Sequence, residues 1–127
     1  MTLIVWTGKN GEMMFNSRRC SRDSQVIADI LTMYEPSEIC VSPYSASLFE
    51  GGRVISHVAE AEGGALFLED LPLAPALVLA EKVIVYRFDR VYPAHVRLTI
   101  PQEFSLTESR EFAGSSHEKI TREVYER

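Results

Sequence analysis

The chain has 127 residues, of which 46% are hydrophobic and 24% charged, and its formal net charge is −5. That length accommodates one domain with one sizeable core, so the sequence predicts a single domain over residues 1–127. No apolar run reaches the roughly 18–20 residues that span a bilayer, and the chain turns polar after Trp6 without a basic leader. We therefore expect a cytoplasmic protein with no membrane segment and no signal peptide.

The charge is unevenly distributed along the chain. Residues 50–81 carry one arginine against six carboxylates, a net charge of −5, whereas residues 1–24 carry four cations against two carboxylates, a net charge of +2. An acidic middle argues against nucleic-acid binding, which needs a basic face. It suits a basic protein partner, and solubility alone explains such a charge equally well.

Metal binding is not predicted. Cys20 and Cys40 have no neighbouring cysteine or histidine, so they match no metal-ligand spacing. We expect two reduced structural thiols, with a disulfide or a catalytic thiol as the alternatives. The carboxylates of residues 60–70 match no calcium-loop spacing, which favours a solvated acidic face.

The first half of the chain predicts strands around one helix. Thr2–Thr7 is a short apolar run typical of a buried strand, and Asn10-Gly11 predicts a hairpin turn into a second strand over Glu12–Asn16. Apolar residues that recur every three or four positions predict an amphipathic helix over Arg22–Tyr34, capped by Ser21 or Asp23.

The second half predicts a parallel crossover followed by an antiparallel hairpin. Glu38–Ser42 reads as a strand and Arg53–Val58 as a weaker one, and residues 65–88 read as strand, tight turn, short helix and strand. Glu103–Phe112 and Glu118–Glu126 alternate apolar and polar residues around a five-residue turn. Together these elements predict an α/β domain with a mixed, mostly parallel central sheet, flanking helices and a C-terminal antiparallel hairpin.

This order of elements resembles the dihydrofolate reductase fold family, in a shortened and degenerate form. Three stretches carry the resemblance: MMFNSRRCSRDSQVIADIL over 13–31, EICVS over 38–42, and residues 65–127 with the terminal EVYER. The resemblance implies a reductase-like sheet, NADPH as cofactor and a folate-type substrate.

Two departures from the family pattern argue against that activity. The family places a long loop and a helix, which supplies the pterin-binding carboxylate, between its first two strands. Here only Gly8–Gly11 separates Thr7 from Glu12, so no catalytic residue is assigned. The family's glycine pair after its fifth strand falls on Glu69 and Asp70, and carboxylates there repel phosphate. Whether the chain is an enzyme stays open, and the departures weigh against it.

Half of a phosphate site is retained by resemblance at the start of the first helix. The candidate cofactor-binding residues are Arg18, Arg19, Ser21, Arg22 and Ser42. Arginines beside a helix N-terminus attract anions, and solvated loop arginines are the plainer interpretation.

Two further clusters favour structural roles. His117 follows Ser115 and Ser116, which raises the possibility of a Ser–His pair. A hydrolase triad also needs a buried acid and an oxyanion hole, so a structural role of these residues in the turn is favoured. Arg87 and Asp89 lie on a strand that leaves the core, where salt bridges are expected.

The leading hypothesis is a non-catalytic binding or regulatory protein whose acidic surface engages a basic protein. The candidate surface comprises Glu60, Glu62, Glu69 and Asp70. The alternative is a small NADPH- or nucleotide-binding protein that keeps the arginine half-site. A homodimer through the exposed edge of the closing hairpin is a third possibility.

Overall fold

Ten strands and two α-helices make up the regular structure in the computed structural model, which describes residues 1–127. The strands are β1 Thr2–Thr7, β2 Glu12–Phe15, β3 Arg18–Arg19, β4 Ile39–Val41, β5 Arg53–Val54, β6 Ala65–Phe67, β7 Lys82–Phe88, β8 Val96–Arg97, β9 Ser105–Phe112 and β10 Ile120–Glu126. The α-helices are α1 Ser24–Met33 and α2 Leu73–Leu79, and short 3₁₀ helices occupy Pro36–Glu38, Pro43–Leu48 and Val58–Ala61.

Seven strands form the central sheet in the order β5-β4-β6-β1-β7-β10-β9. β1 is parallel to both β6 and β7, and β4 is parallel to β5 and β6. β10 is antiparallel to both of its neighbours, β7 and β9. The predicted α/β fold, with a mostly parallel centre and an antiparallel C-terminal hairpin, is confirmed.

The two faces of the sheet bury separate apolar clusters because side chains alternate along each strand. Leu3 and Val5 of β1 join the cluster that includes Ala76 of α2. Ile4 and Trp6 point the other way, into the cluster that contains the α1 side chains. β1 is therefore buried on both faces, which explains its continuous run of apolar residues.

The predicted hairpin of β1 with the second strand is wrong in its pairing. The turn itself forms, with Gly11 at φ +90° and the Gly8 amide donating to the Glu12 carbonyl. However, β2 pairs with β3 and β8 in a separate three-stranded sheet. The Asn-Gly signal locates a turn, but it does not say which sheet the following strand enters.

This pairing also corrects the expectation that the chain lacks a helix between its first two sheet strands. After β1, the next strand to enter the central sheet is β4, and α1 lies between them. The helix begins at Ser24, where the Asp23 side chain caps it by accepting from the Gln25 amide. Arg18 and Arg19 therefore lie in β3 and not at the helix start.

The second half of the chain follows the predicted layout closely. β6, α2 and β7 form the crossover, and β9 and β10 form the closing hairpin, joined by residues 113–119. The weak strand after Gly52 is shorter than predicted and covers Arg53–Val54. None of the helices has the length and apolar character needed to cross a membrane.

Candidate functional site

The parallel strands β1, β4, β6 and β7 end at one edge of the sheet, where open α/β sheets place their ligand sites. Two polar networks occupy this carboxyl edge. One is centred on Glu69, after β6, and the other on His117, in the turn between β9 and β10.

Glu69 is a buried carboxylate, 2% exposed, and this chain saturates it with its own donors. Arg19 binds it in bidentate fashion, with Nε 2.8 Å from Oε2 and the second guanidinium nitrogen 2.9 Å from Oε1. The Trp6 indole donates to Oε2 at 2.8 Å and the Ser45 hydroxyl to Oε1 at 2.8 Å. A buried carboxylate needs this full set of partners to offset its desolvation.

Arg19 is held in place from several sides. Its guanidinium lies over the Tyr44 ring at 4.6 Å, and its backbone amide donates to the Tyr44 hydroxyl at 2.9 Å. The hydrogen bond to Glu69 raises the pKa of Arg19 more than burial lowers it. Its charge is therefore balanced within the protein.

The next residue extends this network to the surface. Asp70 is exposed and accepts from the Ser42 hydroxyl at 2.6 Å. Ser42 also caps the 3₁₀ helix that begins at Pro43. The turn after β6 thus carries one buried and one exposed carboxylate, each with partners inside the protein.

The second network joins residues that are remote in sequence. His117 Nδ1 lies 2.9 Å from Asp23 Oδ2, and the Asp23 and His117 side chains are 0% and 2% exposed. On the other side of the ring, Nε2 lies 3.1 Å from Ser21 Oγ and 3.1 Å from the Tyr92 hydroxyl. Phe88 stacks on one face of the imidazole at 4.1 Å.

Asp23 is kept ionised by the donors around it. Burial acts to raise its pKa, but hydrogen bonds from the Ser115 amide, the His117 ring and the amides of Ser116 and Gln25 together lower the pKa well below its usual range. Because the carboxylate can only accept, His117 Nδ1 must be the donor in this pair. A neutral His117 ring then offers Nε2 as an acceptor to the two hydroxyls.

Tyr92 is positioned by a buried acid on another element. The Glu12 side chain is 0% exposed, and its Oε2 accepts from the Tyr92 amide at 2.8 Å. Glu12 Oε1 lies 3.5 Å from Arg97. Glu12 of the small sheet therefore holds the backbone after β7 at Tyr92, while the Tyr92 hydroxyl contacts His117.

Two open hollows flank this second network. One, of about 570 Å³, is bounded by β3 and by Cys20, Tyr92 and Pro93. The other, of about 380 Å³, lies between the start of α1, the Pro43–Leu48 helix and the turn at Ser115. Ser21 is half-buried. Its two neighbours in sequence line the hollows: Cys20 lines the first and Arg22 lines the second.

The predicted phosphate-site residues are distributed over both networks. Arg19 binds Glu69, Ser21 contacts His117, and Ser42 donates to Asp70. Arg18 and Arg22 are exposed and line the larger and the smaller hollow, respectively. Both cysteines are free thiols, and burial raises the pKa of each.

The predicted acidic surface is divided by the structure. Glu60 and Glu62 precede β6 and Asp70 follows it, so they lie at opposite ends of that strand, while Glu69 is buried. At the amino end, Glu62 lines a hollow of about 520 Å³ together with Glu81 and Glu126.

Two residues of β7 form ionic or hydrogen-bonded contacts: Arg87 in a salt bridge, as predicted, and Tyr86 with an acid of α1 that the sequence did not point to. Arg87 pairs with Glu123, and Asp89 accepts from the Lys119 amide. On α1, Asp29 accepts hydrogen bonds from three partners on the sheet: Tyr86, Arg110 and Arg122.

Sequence reasoning missed the pairing of Asp23 with His117, which are separated by 94 positions. The helix-cap signal at Asp23 and the histidine beside two serines were both visible, but nothing local joins them. The buried acid that a triad needs is present on a different element from the histidine.

The chain has a dihydrofolate reductase-like α/β fold. It is similar to the solved structure of dihydrofolate reductase from Enterococcus faecalis complexed with NADP(H) and RAB-propyl, with a TM-score of 0.69 and 8% sequence identity. The similarity covers 100% of this chain and 96% of that one. No protein-family model and no curated protein matches the sequence.

Proposed function

We propose that this protein acts by binding a basic protein partner and not by reducing a pterin with NADPH. The observation that carries the proposal is the Arg19–Glu69 ion pair, which fills the turn where the resemblance to the reductase family implies a cofactor phosphate. The similar Enterococcus faecalis enzyme was solved with NADP(H). In this chain the turn after β6 carries a buried carboxylate, at the position where the resemblance implies a glycine, and that carboxylate binds Arg19.

The surface that we assign to the partner lies at the amino end of the parallel strands. Glu60 and Glu62 are exposed there, and Glu62 shares its hollow with Glu81 and Glu126. Lys82 and Met1 also line this hollow. A lysine or arginine side chain of a partner would meet three carboxylates there, which favours fast association at low salt.

Charge reversal tests this surface. The double variant Glu62→Lys/Glu81→Lys should weaken binding of a fluorescent lysine-rich peptide by at least about tenfold, or roughly 1.4 kcal/mol, in an anisotropy titration. The control Glu111→Lys/Glu118→Lys makes the same change in net charge at exposed positions on the closing hairpin. Equal losses in both variants would show that only net charge matters and would remove the assignment.

A nucleotide-binding role is the second candidate, and one observation favours it. Arg18 and Arg22 are exposed beside hollows large enough for part of a nucleotide. It predicts a rise in the unfolding temperature on addition of NADPH, NADP⁺ or ATP. A ligand at 100 times its Kd adds about 2.7 kcal/mol of stability, and this rise should be lost in Arg18→Ala or Arg22→Ala. We expect no shift with any of the three.

A further inference from the structure

We propose that Ser21 is a nucleophile that His117 activates and that accepts the acyl group of a small activated carboxylic ester. The proposal does not rest on the binding role, since this site and the acidic surface lie at opposite ends of the sheet. Its basis is the arrangement of Ser21, His117 and Asp23, in which a hydroxyl, an imidazole and a buried carboxylate follow one another within hydrogen-bond distance.

The geometry gives each group a defined role. Asp23 holds Nδ1–H at 2.9 Å and so fixes both the tautomer and the ring orientation of His117, which makes it a positioning residue. Nε2 then faces Ser21 Oγ at 3.1 Å with its lone pair available. This is the relationship between acid, base and nucleophile that serine hydrolases use, and it recurs on unrelated folds.

A purely structural histidine would not need this second contact. The bond to Asp23 is enough to fasten the turn to the start of α1, and the amides of Ser115 and Ser116 reinforce it at 2.9 and 2.8 Å. Yet the outer nitrogen of His117 is not capped by a backbone group. It faces two hydroxyls, those of half-buried Ser21 and of Tyr92, and Tyr92 lines the larger hollow.

Tyr92 supplies the remaining element of such a site. The Nε2 lone pair accepts one hydrogen at a time, so when Ser21 donates to it, the Tyr92 hydroxyl is left to donate elsewhere. Glu12 holds the Tyr92 backbone amide, and Tyr92 lines the larger hollow. A preorganised donor there would stabilise the oxyanion that develops on an attacked carbonyl.

The step balances without any further reagent. Ser21 Oγ bonds to the carbonyl carbon while its proton moves to His117 Nε2. The bond from that carbon to the alcohol oxygen then breaks, and the alcohol leaves with the proton from Nε2. Water subsequently cleaves the acyl-serine, with His117 again receiving and returning the proton.

The test treats the folded protein with p-nitrophenyl acetate and maps acetylated residues by peptide mass spectrometry. We expect Ser21 to acetylate at least about 100-fold faster than Ser109, an exposed serine on β9 of the same molecule. In His117→Gln, which retains a side chain able to donate to Asp23, the Ser21 rate should fall by a similar factor. Ser109→Ala should leave acetylation of Ser21 unchanged.

Each outcome decides the proposal. Selective acetylation of Ser21 that is slowed in a folded His117→Gln variant supports it. No acetylation of Ser21, a rate equal to that of Ser109, or an unchanged rate in folded His117→Gln overturns it. If His117→Gln does not fold, the comparison of Ser21 with Ser109 in native and urea-unfolded wild type decides, because only the native fold would give the selectivity.

Discussion

The side chain of Glu69 fills the turn after β6 with hydrogen bonds from the protein itself. A glycine there would leave backbone amides open to a ligand, whereas Glu69 turns inward and gathers donors from β1, β3 and the Pro43–Leu48 helix. Its network therefore joins four parts of the chain at the carboxyl edge.

Replacing Glu69 with alanine should destabilise the protein by about 3 kcal/mol, because Arg19 would keep its charge with no partner while Trp6 and Ser45 lose an acceptor. Urea unfolding of the variant measures this loss. Asp70→Ala is the matched control; it removes one bond from exposed Asp70 and should cost no more than about 1 kcal/mol. Similar losses in both variants would contradict the buried ion pair.

Gly114 permits the close approach of the hairpin turn to α1. A Cβ at this position would lie 2.5 Å from Asp23 Oδ2 and 2.7 Å from the His117 carbonyl oxygen. Gly114→Ala should therefore cost about 1–3 kcal/mol and shift the imidazole resonances of His117 in an NMR spectrum. Gly64→Ala, where the nearest atom is 3.6 Å away, should stay within about 0.5 kcal/mol of wild type. An unperturbed His117 in Gly114→Ala would count against this packing.

At the scale of elements, two aspartates attach α1 to the rest of the fold: Asp29 within the helix and Asp23 at its N-cap. Asp29 accepts from Tyr86 on β7 and from arginines on β9 and β10. Arg122 is shared with Glu108, so the helix and the two hairpin strands form one charged network. The apolar face of α1, with Val26 and Ile30, packs beneath it.

This network makes stability depend on pH in a definite direction. Burial acts to raise the pKa of Asp29, but hydrogen bonds from Tyr86 and Arg110 and the nearby positive charges lower it below the ordinary value of 3.8. The unfolded chain then holds the proton more tightly. The stabilisation is complete above about pH 4 and declines as pH falls towards the folded-state pKa.

Asp29→Asn should flatten that decline. Thermal unfolding between about pH 5 and pH 2 should show a smaller loss of stability in the variant than in wild type, because the variant has no proton to take up at this position. Tyr86→Phe, which removes one donor to Asp29, should give an intermediate slope. A variant slope as steep as that of wild type would assign the acid sensitivity to other groups.

The elements that the sequence predicted are those whose signal is local. β7 and the closing hairpin follow from continuous or alternating apolar residues, and the α1 boundary follows from Asp23 and Pro36. The three-stranded sheet was missed because β3 and β8 have two residues each, too few to show a period. The His117 network was missed because its members come from three separate segments, around residues 21–23, 92 and 117, that only the fold brings together.

At the scale of the whole molecule, the parallel sheet separates two chemically different ends. The carboxyl end holds the Glu69 and His117 networks, and the amino end holds the acidic hollow. The two proposals therefore concern surfaces that mutations can address independently. Their variants should not affect each other's measurements, since distant sites without shared partners act additively.

The outer edge of the sheet bears on the oligomeric state. β9 is a terminal strand, as the predicted dimer through the closing hairpin requires. It also carries exposed Glu108, Arg110 and Glu111, and its pairing with β10 shifts register near Thr107. Charged side chains and bulges on edge strands oppose pairing with a second copy.

We therefore expect wild type to sediment as a monomer, because the charged side chains and the bulge of β9 oppose pairing with a second copy. Ser109→Val/Glu111→Val removes one charge and adds apolar surface to the edge, so the variant should associate with increasing concentration. Leu106→Thr, which reduces the exposed apolar surface of β9, should remain a monomer. A wild-type dimer that Leu106→Thr or a proline at Ser109 dissociates would instead establish pairing through β9, because proline removes a backbone donor from the edge.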